Sequence, residues 1–332
     1  MKLEYTISED AAGQRLDKFL RRRLAEMPLS HLYKLVRTKK VRVNGARTEI
    51  GRLLRPGDVV VVHGAREANP EVPRPPAAPR PPTAVPQDFG VLYEDAHILV
   101  CDKPAGLAIH PGSGISGDTL VDEVRAYLAR QGLVAGEGEF KPSPAHRLDR
   151  ETSGVVVVAK TRQAMVRLTE IFTAGEAKKT YLALAKGRFQ RERGTIDLRL
   201  AEHQQTLSSK QQRGVNLQEA VTHWTKLAGG GEATLLEIEI ETGRTHQIRR
   251  HLAAIGHPIV GDAKYGDFAF NRRVRAAWGL RRMFLHSSRL ALAQPITGKR
   301  LVFNAPLPEE LADALSRAGV AWSPTKPHVG KG

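Results

Sequence analysis

Apolar residues recur three and four positions apart at Leu16, Phe19, Leu20 and Leu24, and again at Leu32, Leu35 and Val36, which predicts two short amphipathic helices near the start of the chain. The period then falls to two. Val41 and Val43 flank Arg42 and run into the turn dipeptide Asn44-Gly45, and Pro56-Gly57-Asp58 turns the chain into a last strand over 59–62. Further along, strand and helix patterns alternate. A strand, turn and strand over 91–100 precede a helix over 119–130, where Leu120, Val124, Tyr127 and Leu128 share a face and Thr119 with Asp122 forms a capping box. A short buried strand over 155–159 leads to a helix carrying Met165, Leu168, Ile171 and Phe172 that stops at Gly175. Strands follow over 180–186, 219–227 and 235–241, the last two joined at Gly229–Gly231, and then a helix over 247–255 closed by Gly256. Many strands with hairpin connections and few helices predict an α+β fold on a mixed, largely antiparallel sheet with flanking helices, plus a small α+β module at the front. No internal repeat is visible.

Composition divides these elements into domains. From Asn69 to Pro86 the chain carries eight prolines and almost nothing large and apolar, so residues 65–88 read as an extended linker between a module at 1–64 and a domain at 89–320, with a tail at 321–332. The chain holds 51 Lys and Arg against 35 Asp and Glu, a net +16 over 332 residues. Between Ala11 and Arg47, eleven basic residues face two acids, a local +9, which turns a general preference for polyanions into a candidate nucleic-acid-binding module. A solvated helix face is the plain alternative for such a run. One cysteine allows no internal disulfide, MKLEYTISED offers no apolar run with a cleavage site, and no apolar stretch nears the ~20 residues of a membrane span. A cytoplasmic monomer with no membrane partner is the expectation.

Several familiar patterns fail. Gly112, Gly114 and Gly117 precede a helix in GxGxxG spacing, but no strand and ribose-binding acid complete a dinucleotide unit. His246 and His251 are five apart, with no metal-ligand pair, so no metal is expected. Ser153 lacks the context of a nucleophile elbow. The dense string is HRLDRETSG, residues 146–154, where Asp149 lies between Arg147 and Arg150, guanidinium groups that favour an ionised carboxylate. An aspartate before Thr-Ser-Gly can also simply cap a turn. ETGRTHQIRRHL, residues 241–252, adds Arg244, Arg249, Arg250 and two histidines at a strand-to-helix junction, and KKTYLALAKG, residues 178–187, puts Tyr181 on a strand among basic residues.

These strings, with VLYEDAHILVCDKPAGLAIHP at 91–111 in the expected order, resemble the RluA-type family of pseudouridine synthases. The front of the chain, with GQRLDKFL, VRVNG and RPGDVV, resembles the small RNA-binding module named after the fourth ribosomal protein of the small subunit. Lys39-Lys40 stands where that module commonly has glycine, so a different local turn is expected. The resemblance implies isomerisation of specific uridines in RNA, of the large ribosomal subunit, with no cofactor. It implies Asp149 as the catalytic carboxylate, Arg249 as its partner, Ile248 as the apolar residue against the base and Tyr181 as the aromatic stacked on the flipped uracil. Arg147 would fill the space the nucleotide leaves, and Cys101 departs from the family's first motif without catalytic consequence. A noncatalytic RNA-binding or ribosome-assembly factor on the same scaffold is the alternative.

Overall fold

A computed structural model describes residues 2–7, 13–24, 27, 29–64, 87–110, 118–134, 140–201 and 217–323. The proline-rich stretch, Gly112, Gly114 and Gly117, and residues 324–332 lie outside the described residues. The chain divides into two compact units, Met1–Pro79 and Arg80–Gly332.

The first unit holds β1 (Lys2–Thr6), α1 (Leu16–Arg23), α2 (Leu29–Arg37), β2 (Val41–Val43), β3 (Ala46–Arg47) and β4 (Val59–His63), with sheet order β1-β4-β2-β3. The apolar helix faces meet alternate strand residues: Leu16, Leu20, Leu32 and Leu35 pack with Val41, Val43, Val60 and Val62 in one core. Asn44 and Gly45 take φ of 53° and 74°, as the tight turn requires. The Asn44 side chain locks it, donating to Asp58 at 2.7 Å and accepting from the Val59 amide at 2.7 Å. Lys39 adopts φ 63°, so the turn keeps a conformation natural to glycine although a lysine occupies it, and the changed turn expected there is not observed.

The second unit contains β5 (Gly90–Glu94), β6 (Ile98–Lys103), α3 (Leu120–Arg130), β7 (Ser143–Pro144), β8 (Ser153–Ala159), α4 (Arg162–Thr173), β9 (Lys178–Lys186) and β10 (Arg193–Asp197). It continues with β11 (Leu200–Ala201), β12 (Leu217–Gln218), β13 (Val221–Gly230), β14 (Ala233–Ile240), α5 (Gln247–Ala254), α6 (Phe268–Ala277), β15 (Leu285–Ala293), β16 (Arg300–Asn304) and α7 (Glu309–Arg317). Ten strands form one sheet of order β10-β13-β14-β9-β15-β8-β6-β5, with β16 on β15 and β7 on β8. The β15–β8 pair is parallel and its neighbours antiparallel, so the sheet is mixed and largely antiparallel, as the hairpin spacing predicts.

β8 is buried on both faces, which is why it reads as a continuous valine run. Val156 and Val158 join a core with Leu120, Val124 and Leu128 of α3 and Ile248 and Leu252 of α5, while Val155 and Val157 join a second with Leu168 and Ile171 of α4. Thr119 caps α3 in a reciprocal box with Asp122. β10, α6, β15, β16 and α7 complete the unit without a counterpart in the sequence pattern. In β15 the run His286-Ser287-Ser288-Arg289 interrupts the apolar alternation, although the strand sits mid-sheet between β9 and β8.

Candidate active site

Asp149 stands in the turn that feeds β8, where β8 and β15 begin to run side by side. Several buried contacts fix this turn. Lys103, fully buried at the end of β6, donates its ammonium to the carbonyls of Pro104, Leu107 and Arg150, tying the loop after β6 to the aspartate turn at 2.8–3.1 Å. Burial brings the Lys103 ammonium down to about 7. On the other side Arg282 reaches the Glu151 carbonyl at 3.4 Å and Ser153 Oγ at 3.0 Å, while Ser153 Oγ meets His286 Nδ1 at 2.9 Å. This Ser–His pair is almost wholly buried inside the sheet, so its role is packing and alignment. Gly154, at φ 112°, lies so close to β15 that a Cβ would fall 2.1 Å from the Ser287 carbonyl oxygen; only glycine fits.

The turn opens on a cleft of about 550 Å³ lined by His146, Arg147, Asp149, Thr152, Lys179, Tyr181, Ile248 and Arg249, among others. Its size and mixed lining suit one nucleotide. Tyr181 rises from β9 and is nearly buried. Burial, reinforced by the Asp149 charge, raises its phenol, and its hydroxyl bonds to Ser287. Ile248 and Arg249 come from the first turn of α5. That helix starts at His246, a non-glycine residue at φ 54° and ψ 30°, and the Gln247 side chain pins the start by accepting from Thr242 Oγ1 and the Arg244 amide while donating to the Val221 carbonyl. A left-handed histidine is a strained choice held by its surroundings.

Arg249 carries the electrostatics. Its Nη1 donates to Asp149 at 2.9 Å, while Nε and Nη2 donate to Asp262 at 2.7 and 2.9 Å. Asp262 is buried and also accepts from the Lys264 and Tyr265 amides. Burial works to raise its carboxyl, but the Arg249 fork and the two amides prevail and hold it below the ordinary value. The guanidinium also lies 5.0 Å from the Tyr265 ring centre. His246 Nε2 is 3.7 Å from Asp149 Oδ1, outside hydrogen-bond range, and its Nδ1 meets the Tyr265 hydroxyl at 2.9 Å. Burial pushes the His246 imidazole down against the pull of Asp149.

The five residues singled out from the sequence thus share one cleft, and Arg249 bonds directly to Asp149. Arg147 is exposed, and Arg150, expected beside the carboxylate, turns away to donate to the Gly106 carbonyl at 2.8 Å. Sequence reasoning missed Asp262, Tyr265, Lys179 and Thr152, and gave His246 no role. Asp262 follows the apolar pair Ile259-Val260 thirteen residues after Arg249, a spacing that says nothing until α5 folds back on it. Among the described residues no group of three or more His, Cys, Asp or Glu side chains could hold a metal ion, and no helix is long and apolar enough to cross a membrane.

Comparison with known proteins agrees with this geometry. The model of the family described as RNA pseudouridylate synthase matches residues 97–254, which include Asp149, Tyr181, Ile248 and Arg249, and the S4 domain model matches residues 14–60. Ribosomal large subunit pseudouridine synthase C of Vibrio cholerae serotype O1 is 35% identical over 312 residues, 94% of this chain and 95% of that protein. The protein of the same name from Escherichia coli K12 is 36% identical over 320 residues, 94% of this chain and 95% of its own. Among solved structures, human RNA pseudouridylate synthase domain containing 4 aligns at TM-score 0.57 and 26% identity over 70% of this chain and 94% of that chain. With the RNA-binding S4 domain in front and the matched sheet and cleft behind, the chain belongs to the RNA pseudouridylate synthase family and is an RNA pseudouridine synthase.

Proposed function

We propose that this enzyme converts specific uridines of large-subunit ribosomal RNA to pseudouridine, with Asp149 as the catalytic carboxylate. The observation that carries the reading is Asp149 presented to the cleft on an Arg249 guanidinium whose other donors are fixed by buried Asp262, in a chain about 35% identical over nearly its whole length to enzymes named for that substrate. The reaction breaks the bond from ring nitrogen 1 to the anomeric carbon, turns the base and forms a bond from carbon 5. The carbon 5 proton leaves and nitrogen 1 gains one, so the atoms balance within uridine and water. An ionised Asp149 can attack a carbon or take a sugar proton, and both roles need the negative charge that Arg249 stabilises.

The uridine must first leave its stack, at a cost of about a few kcal/mol that new contacts offset. Tyr181 supplies an aromatic face beneath the carboxylate and Ile248 an apolar wall, each about 95% buried before any ligand arrives, so neither loses much side-chain freedom on binding. The raised phenol of Tyr181 keeps its proton at neutral pH, which gives this side chain stacking and, at most, a relay in which one proton arrives as another leaves. Arg147, exposed at the mouth, is placed to enter the gap in the RNA. We take the enzyme to act as a cytoplasmic monomer whose residues 1–64 hold RNA, joined by a linker at 65–88 to a catalytic domain at 89–320. Mapping pseudouridines in large-subunit ribosomal RNA from cells with and without the gene tests the substrate: specific sites should revert to uridine on deletion, and an unchanged map contradicts the reading.

A further inference from the structure

Thr152 carries a hydroxyl that is buried and yet bonds to nothing in the described protein. The residue is 2% exposed and lines the cleft with Asp149, Tyr181 and Ile248. Its backbone is committed, since the Thr152 amide donates to the Asp149 carbonyl at 3.1 Å in the turn that presents the carboxylate. A threonine in such a turn commonly turns its hydroxyl back on its own backbone, but here Oγ1 does not. Slack in the turn does not explain this. Lys103 holds the Arg150 carbonyl, Arg282 holds the Glu151 carbonyl and Ser153, and Gly154 is wedged against β15. The β-branched side chain has few rotamers to choose from. The turn therefore holds a desolvated hydroxyl in place with its hydrogen-bonding capacity unspent, an arrangement that buried polar groups rarely show unless a ligand completes it.

We infer that Thr152 Oγ1 forms a hydrogen bond with the uridine extruded into the cleft, and that Thr152 is a substrate-contacting residue that positions the nucleotide over Asp149. This rests on the reading of the cleft as the uridine site. A hydroxyl donates one hydrogen bond and accepts others, and a nucleoside offers both base and sugar partners. Because the hydroxyl is already stripped of water, its bond to substrate is not offset by a new desolvation step.

The test compares Thr152→Val, which exchanges the hydroxyl for a methyl of similar size, with Thr152→Ser, which keeps it. Thr152→Val should melt at the wild-type temperature or slightly above, since it removes an unsatisfied buried group. Its kcat/KM on ribosomal RNA should fall about ten- to thirty-fold, equivalent to about 1.4 to 2 kcal/mol at 1.36 per tenfold, while Thr152→Ser stays within about threefold of wild type. The inference is overturned if Thr152→Val keeps wild-type activity within about twofold, if it melts well below wild type, or if Thr152→Ser is as impaired as Thr152→Val. Asp149→Asn in the same assay separates the two levels of the argument. An active Asp149→Asn enzyme removes the reading of the cleft itself, whereas an inactive one beside a fully active Thr152→Val removes only the role of Thr152.

Discussion

At the scale of single residues, Arg249 is held between two carboxylates of unequal standing. Asp262 is fully buried and takes two of its donors; Asp149 is partly open to the cleft and takes the third. A planar guanidinium fixed on one side has its remaining donor direction fixed as well, so Asp262 sets where the Asp149 charge is met. Asp262→Asn keeps the shape but removes the buried charge and turns an amide toward donors. It should destabilise the larger unit by about 3 kcal/mol or more and reduce turnover at least about tenfold. Thermal melting and single-turnover assays check both, and a variant unchanged in both would mean that Arg249 is oriented by other groups. The pair Asp149–Arg249 was legible in the sequence through two dense strings that resemble a family's motifs. Asp262 was not, because its role depends on α5 folding back over a chain reversal that carries no periodic signal. Arg150 shows the converse: adjacency to Asp149 in sequence suggested a partner, and the backbone of a tight turn points its side chain elsewhere.

At the scale of elements, β15 shows why the sheet was only partly readable. Its centre, His286-Ser287-Ser288-Arg289, argues against a mid-sheet strand, yet the polar groups find partners inside: His286 with Ser153 and the Ala305 carbonyl, and Ser288 with the Thr180 carbonyl. β8, α3 and α5 were readable because valine run, capping box and glycine stop are local signals. Burying His286 has a consequence for pH. Burial brings its imidazole from an ordinary value near 6.5 down to about 4, so the folded state favours the neutral ring. That contribution is fully present above about pH 6.5 and is lost as pH falls toward 4, a loss of about 3 kcal/mol. All three tryptophans, Trp224, Trp278 and Trp322, lie in the larger unit, so their fluorescence follows its unfolding alone. Denaturant unfolding at stepped pH should show this fall in the wild type and a flatter profile in His286→Gln. An equal slope in the two proteins would show that other groups govern the acid limb.

For the whole molecule, the net charge of +16 resolves into two tasks. In the first unit a groove of about 830 Å³ is lined by Tyr33, Lys34, Arg37, Lys39 and Arg47, an aromatic among cations that suits an RNA strand. Replacing these four basic residues with Gln should weaken affinity for ribosomal RNA and flatten its dependence on salt, lowering the slope of log affinity against log salt by about three. An unchanged slope would show that phosphates are met elsewhere. In the second unit the decisive cation is one arginine beside one carboxylate, and the central claim is that this carboxylate performs the isomerisation. The most direct measurement is pseudouridine formation on large-subunit ribosomal RNA by Asp149→Asn beside the wild type, with RNA affinity measured on the same preparations. The account predicts no detectable pseudouridine from Asp149→Asn while affinity stays within a few-fold; pseudouridine formed at the wild-type rate would contradict it.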